Sequence, residues 1–227
     1  MAVSVEAITS SAGFKLVNTL TNHVNILADR VHALRASQPR LLVALAGAPG
    51  SGKSTLAEEL SRRLTLQKCV NVVVPMDGYH LDNRLLEAHG LLARKGAPET
   101  FDAAGFIRTV NALRRKDNVI VPVFDRTRDI AIAGAVHVPP ECPVVILEGN
   151  YLLFDEQPWS ALHQAWDISA YLDVPMPEIR GRLIQRWLSQ NLSRAAATRR
   201  AESNDIPNAQ RIIGAPLPAD FTLTHMD

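Results

Sequence analysis

Gly47-Ala48-Pro49-Gly50-Ser51-Gly52-Lys53-Ser54 lies between an unbroken apolar run, residues 41–46, and a stretch of helical character, residues 53–66. It meets the pattern G-x-x-x-x-G-K-[ST] at every fixed position, in the strand–loop–helix setting that the pattern requires. The residue types follow from the chemistry. Glycines let successive backbone N–H groups turn inward as an anion nest. The N–H groups and dipole at the start of the helix add to that field. Lys53 is placed to reach the β- and γ-phosphates of a nucleotide, and the Ser54 hydroxyl to ligate Mg²⁺. Gly47, Ala48, Pro49, Gly50, Ser51, Gly52, Lys53, Ser54 and Thr55 are therefore the candidate nucleotide-binding set, with ATP and Mg²⁺ as the expected cofactors.

On both sides of this motif, strand-like and helix-like stretches alternate. Strands are expected at residues 41–46, 70–75, 119–124, 130–138, 144–147, 168–174 and 221–224. Helices are expected at residues 53–66, 81–92, 103–114 and 176–192, with a further helix start at Asn204-Asp-Ile-Pro-Asn208. Alternation of this kind implies right-handed crossovers and a mostly parallel sheet covered on both faces. Ahead of it, Phe14, Val17, Leu20, Val24, Leu27, Val31 and Leu34 recur at helical spacing. They predict an N-terminal helix, capped at Ser10 or Ser11 and ended by Ser37-Gln-Pro39, whose stripe packs on the domain or pairs with a second copy in a homodimer. The expected division is a helical appendage over residues 1–40 and one domain over 41–227.

The 227 residues are 47% hydrophobic and 21% charged, enough apolar material for one substantial core and too much for a disordered chain. Twenty-four basic and 23 acidic side chains nearly cancel, which speaks against nucleic acid or a membrane surface as a partner. Residues 1–40 show no secretory leader, and no run reaches the roughly 20 apolar residues that span a bilayer, so a soluble, cytoplasmic chain is expected. Cys69 and Cys142 have no metal-site spacing and read as two buried thiols, with a Cys69–Cys142 bridge as the alternative.

A phosphate-binding loop alone does not separate a small-molecule kinase from an ATPase or a switch. In open α/β sheets the ligands bind at the carboxyl ends of strands. Asp77 stands just past an expected strand end, where a carboxylate can take the proton of a substrate hydroxyl, although Asp-Gly is also a common turn pair. Glu148-Gly149 follows the buried run Val144-Val-Ile-Leu147, and a carboxylate there can hold Mg²⁺ or simply be a solvated acid. Nineteen of the 24 basic residues are Arg, and six of them fall within residues 180–200. Arg182 and Arg186 share a helical face. Such a stretch fits a lid, about residues 180–205, that closes over the triphosphate and brings Arg186 to the transferred group. Arg199 and Arg200 read as a solvated face.

With these residues in hand, the chain resembles the P-loop kinases of the uridine kinase, phosphoribulokinase and pantothenate kinase group, over about residues 41–223. Met76-Asp77-Gly78-Tyr79 is similar to the segment that carries that family's catalytic aspartate. Arg94-Lys-Gly-Ala-Pro-Glu-Thr-Phe-Asp102, Pro122-Val-Phe-Asp-Arg126-Thr-Arg128, Ile146-Leu-Glu148-Gly149 and Arg182-Leu-Ile-Gln-Arg186 match further family segments, with Phe124 where the family has Tyr. The wording Asp-Gly-Tyr-His80 and Glu-Gly-Asn-Tyr-Leu-Leu153 resembles a bacterial branch of fructose transport system kinases.

The resemblance implies a three-layer α/β P-loop NTPase fold with a mostly parallel central sheet and a helical lid, to which the spacing within residues 1–40 adds an extra N-terminal helix. It implies in-line transfer from ATP to a hydroxyl of a small-molecule acceptor, a sugar such as fructose, with Asp77 as base and Mg²⁺ on Ser54 and Glu148. Lys53 and Arg186 would then balance charge on the transferred group. Tyr79, His80, Asp125, Arg126 and Arg128 become candidates for the acceptor pocket, with a structural hydrogen-bonding role as the alternative for His80 and a helix cap as the role of Asp102. If the strand before them continued, Arg126 and Arg128 would face one side. The competing readings are a nucleoside or pantothenate-type kinase, and an NTPase or regulator with no acceptor.

Overall fold

The first strand, β1 (Leu41–Gly47), is buried along its whole length because both its faces are covered. Successive side chains of a strand point to opposite faces. Accordingly Leu41, Val43 and Leu45 enter one apolar cluster, and Leu42, Ala44 and Ala46 another. That is why the run is continuously apolar instead of alternating. The computed structural model describes residues 11–224, with side chains from residue 19 onward.

β1 pairs in parallel with β5 (Val144–Gly149) on one side and β6 (Ile168–Asp173) on the other. β2 (Asn71–Pro75) adds outside β5, and β7 (Phe221–Thr224) outside β6. The order is β2-β5-β1-β6-β7, all parallel. On one face lie α1 (Ser11–Arg35) and α2 (Lys53–Leu66). Val24, Leu27 and Val31 of α1 are buried with Leu56, Leu60 and Leu64 of α2 against the sheet. Each such buried side chain contributes about 1.5–3 kcal/mol of transfer free energy. α1 ends where Ser37 bonds the Leu34 carbonyl through both its N–H (3.0 Å) and its hydroxyl (2.9 Å). Ser10 and the side chains of Ser11, Phe14 and Val17 lie outside the described residues.

On the other face α4 (Ala103–Arg114) buries Phe106, Val110 and Leu113 against Tyr151 and Trp159. Its cap is Asp102, whose side chain accepts from Gly105 N at 2.7 Å. A shorter helix, α3 (Asn83–Ala88), is capped by Asp82. It covers only part of the helical stretch expected over 81–92.

Two expectations are modified. β3 (Val119–Asp125) and β4 (Ile130–Val138) do not join the parallel sheet; they pair with each other as an antiparallel ribbon. The register slips between Val121 and Val123, at Pro122, which has no N–H to give the ladder. Secondly, Asn204–Asn208 is not a fresh helix start. α6 (Arg194–Arg200) runs through one π turn, Ala201–Asp205, into α7 (Ile206–Gly214). The wide turn immediately precedes Pro207, whose ring would crowd the carbonyl one regular turn back. Together with α5 (Met176–Leu188), these helices form a third apolar cluster built around Ala48 of the loop after β1.

Candidate active site

Register brings the ends of three strands together: Glu148 lies beside Leu45 of β1 on one side and beside Pro75 of β2 on the other. The loop after β1, the carboxylate ending β5 and the turn after β2 therefore share one edge, the edge at which open α/β sheets bind ligands.

Gly52 stands at the N-cap of α2 with φ +98°, a left-handed conformation that glycine adopts at little cost. No side chain caps α2, so the first N–H groups of the helix are left for an anion. The Lys53 ammonium is buried and held by the Ala48 carbonyl at 2.8 Å and the Ser51 hydroxyl at 3.4 Å. Burial pushes its pKa down to about 8, against the opposing pull of the Glu148 and Asp77 charges. The Ser54 hydroxyl donates to Glu148 Oε1 at 3.2 Å. Burial and the neighbouring Asp77 charge raise the Glu148 carboxyl above its ordinary range, while Lys53 and Ser54 pull it back.

Asp77 occupies a tight turn, Met76–Tyr79, that follows β2. Its Oδ2 accepts from Arg126 Nη2 at 3.0 Å. Gly78 permits this placement: a Cβ there would lie 2.4 Å from the carbonyl oxygen of Pro122 in β3. A cavity of about 340 Å³ opens at this point, lined by Ser54, Glu58, Asp77, Phe124, Arg126 and Glu148. The hydroxyl–carboxylate pair and the Asp77–Arg126 pair thus share one hollow, and Ser54 ties it to the end of the phosphate loop.

The remaining candidates are distributed differently. Tyr79 turns into the core, where its ring packs edge-on to Phe106 and its hydroxyl donates to Thr109 at 2.8 Å. It does not line the cavity. His80 is stacked with Phe101 (4.0 Å between centroids) and Phe124 (4.5 Å). Its Nδ1 lies 2.7 Å from the Asp77 carbonyl, which can only accept, so Nδ1 carries a proton. Burial lowers the His80 pKa. β3 ends at Asp125, so Arg126 and Arg128 lie in a turn and not on one strand face. Asp125 closes that turn by accepting from the N–H groups of Thr127 and Arg128 and from Arg128 Nε at 2.6 Å. Arg128 therefore faces Asp125, while Arg126 faces Asp77.

Arg186 on α5 pairs with Asp205 at 3.2 Å and lies over Trp187, its charge close enough to help depress Lys53. Trp187 in turn donates to Asp205 at 2.5 Å. One residue at the site escaped the sequence reading. Glu58 is one helical turn beyond Ser54 on α2, a spacing that marks a shared face. Arg182, which the sequence places on the Arg186 face of the expected lid, donates to the Gly50 carbonyl at 3.0 Å.

The geometry suits magnesium. A hydroxyl and one carboxylate are hard oxygen donors beside a phosphate cradle, and Mg²⁺ is ordinarily held by one or two carboxylates plus substrate phosphates. Among the described residues there is no cluster of three or more acidic, His or Cys side chains that would form an all-protein cage. No described helix is long and apolar enough to cross a membrane.

Known proteins agree with this architecture. The family model "Phosphoribulokinase / Uridine kinase family" matches residues 42–206. The chain is 35% identical over 197 residues to the uncharacterized protein YggC of Escherichia coli (strain K12), covering 83% of this chain and 81% of that protein. It is 34% identical over 192 residues to the "putative uridine kinase C227.14" of Schizosaccharomyces pombe, covering 80% and 82%. A crystal structure of a "putative fructose transport system kinase" from Silicibacter sp. TM1040 superposes with a TM-score of 0.83 at 56% identity, covering 88% of this chain and 98% of that one. The chain belongs to the phosphoribulokinase / uridine kinase family: it is a P-loop kinase of small molecules.

Proposed function

We propose that this chain transfers the γ-phosphoryl group of Mg-ATP to a hydroxyl of a sugar, with Asp77 as the base. The observation that carries the reading is one cavity lined by Asp77 together with the Ser54–Glu148 pair, Ser54 being the last residue of the phosphate-loop motif.

Arg126 holds Oδ2 of Asp77, which leaves Oδ1 to accept the proton of the acceptor hydroxyl. As that proton leaves, the acceptor oxygen bonds to the γ-phosphorus and the bond to the departing ADP oxygen breaks. The backbone N–H groups around Gly52 and the Lys53 ammonium hold the phosphates in line. Ser54 and Glu148 would hold magnesium, which neutralises phosphate charge when bound. Arg186, on the lid helix α5, supplies positive charge to the transferred group once its pairing with Asp205 is exchanged for phosphate. Asp125, Arg128 and His80 shape the pocket from behind: two close the β3–β4 turn and the third fixes the Asp77 carbonyl.

A sugar is favoured over a nucleoside by what the cavity offers. Phe124 is the only aromatic ring among its described lining residues, and that ring is already engaged by His80 and by the Lys95 ammonium, 5.0 Å from its centroid. A nucleobase would find no free aromatic face there, whereas Glu58, Arg126 and Asp77 can all bond hydroxyl groups. The likeness to the Silicibacter kinase, at 56% identity, supports the same choice.

The test is ADP release with Mg-ATP against fructose, other hexoses, uridine, pantothenate and ribulose 5-phosphate. A sugar-dependent rate that falls by about 10²–10⁴-fold in Asp77→Asn, with ATP binding retained, is the expected result. Strong activity on uridine alone would replace the sugar reading. ADP release that is independent of every acceptor would remove the acceptor altogether.

A further inference from the structure

On the β6–β7 side of the P-loop, opposite the side that carries Asp77 and Glu148, lies a second cavity of about 300 Å³. Gly52 and Thr55 at the start of α2 form part of its lining, so it adjoins the phosphate cradle directly. Val174, just after β6, and Leu223 of β7 supply apolar walls. Arg182 stands at the rim, its guanidinium fixed by the Gly50 carbonyl and by an ion pair with Glu178. The remaining wall comes from α1, through Thr19 and His23.

A nucleotide whose triphosphate lies in the cradle must place its base within reach of Gly52 and Thr55. The Asp77 side of the loop is lined by the carboxylates of Glu58, Asp77 and Glu148 and is a poor host for an uncharged ring. The second cavity has the opposite character. It is of a size that accepts a small ligand, its walls are apolar, and a planar guanidinium held in place at the rim can stack on a π-system. α1 and β7 both lie outside residues 42–206, the stretch that the family model covers.

We propose that the N-terminal helix α1 is a working part of the nucleotide site: Thr19 and His23 close the cavity over the purine base of ATP, and the helix thereby sets nucleotide affinity. The inference rests on the P-loop holding the triphosphate, as proposed above.

The test compares binding of Mg-ATP and of inorganic tripolyphosphate, by calorimetry, to the full chain and to Thr19→Trp. Thr19 is half-buried at the cavity wall, so the larger ring fills the hollow without entering the core. ATP affinity is expected to fall by about tenfold or more while tripolyphosphate affinity stays unchanged. Unchanged ATP affinity in Thr19→Trp would overturn the proposal, as would equal losses for both ligands. If Thr19→Trp fails to fold, His23→Ala replaces it, with a selective loss of ATP affinity supporting the proposal and no loss overturning it. A parent chain that binds neither ligand would show that the cradle reading itself is at fault, and the role of α1 would fall with it.

Discussion

Arg126 Nη2 lies 3.0 Å from Asp77 Oδ2, although 49 residues separate them, and this contact ties the β3–β4 turn to the end of β2. Arg126 is 63% exposed. Such a pair contributes only about 0–1 kcal/mol to stability, so its value lies in orienting the carboxylate. Arg126→Ala is expected to leave the melting temperature nearly unchanged while lowering kcat by about 10²-fold. Thermal unfolding and steady-state kinetics on the same preparation check this. A normal kcat would reduce the contact to a surface ion pair.

Lys53 gives the site a pH dependence with a definite sign. Its ammonium loses its proton at about pH 8 in the free protein, because burial opposes the charge. Bound phosphate favours the charged form and raises that value. Below about pH 8 the ammonium is already present and Mg-ATP affinity is expected to be flat with pH. Above it, binding must take up a proton, and affinity is expected to fall by up to about tenfold per pH unit. Calorimetric titrations across that range test the point. Lys53→Arg, which keeps its charge, is expected to abolish the slope.

Gly78 is where the fold admits no side chain. A methyl group there would sit 2.4 Å from the Pro122 carbonyl oxygen and 2.6 Å from its carbon, and both atoms are backbone. Gly78→Ala is expected to destabilise by about 1–3 kcal/mol. That corresponds to a lowering of Tm by about 2–4 °C for each kcal/mol in a chain of this size. Because Asp77 is the adjacent residue, kcat should fall as well. An alanine variant with unchanged Tm would show that β3 moves aside freely.

Arg186 is fastened to Asp205 at 3.2 Å and lies over the Trp187 ring, 5.5 Å from its centroid. If it serves the transferred group only after release, its removal acts on turnover and not on ground-state binding. Arg186→Gln is expected to lower kcat by about 10²-fold with little change in ATP affinity. An equal loss in ATP affinity would make it a ground-state phosphate ligand.

Much of the nucleotide side was legible because its signals are local. The loop 47–54 carries its own conformational instructions in its glycines, and its flanking strand and helix appear at residues 41–47 and 53–66. The strand-end carboxylates Asp77 and Glu148 could be picked out because each stands at the end of an apolar, strand-forming run. The acceptor side was less legible. Tyr79, His80, Asp125, Arg126 and Arg128 looked alike in sequence, and only packing sorts them. Tyr79 belongs to the core with Phe106, His80 to a ring stack, Asp125 and Arg128 to each other, and Arg126 to Asp77. The reason is that the β3–β4 ribbon leaves the main sheet, and its turn ends up against β2 through contacts distant in sequence.

The amino-acid sequence by itself determined the fold class, the phosphate cradle and the kind of chemistry, since those depend on residue types at fixed short spacing and on hydrophobic period. Tertiary structure alone decided which arginine meets Asp77, that Glu58 joins the cavity at Asp77, and that α1 stands beside the P-loop over a second hollow. Those pairings join residues far apart along the chain. They arise from strand order and helix packing, which no local pattern encodes.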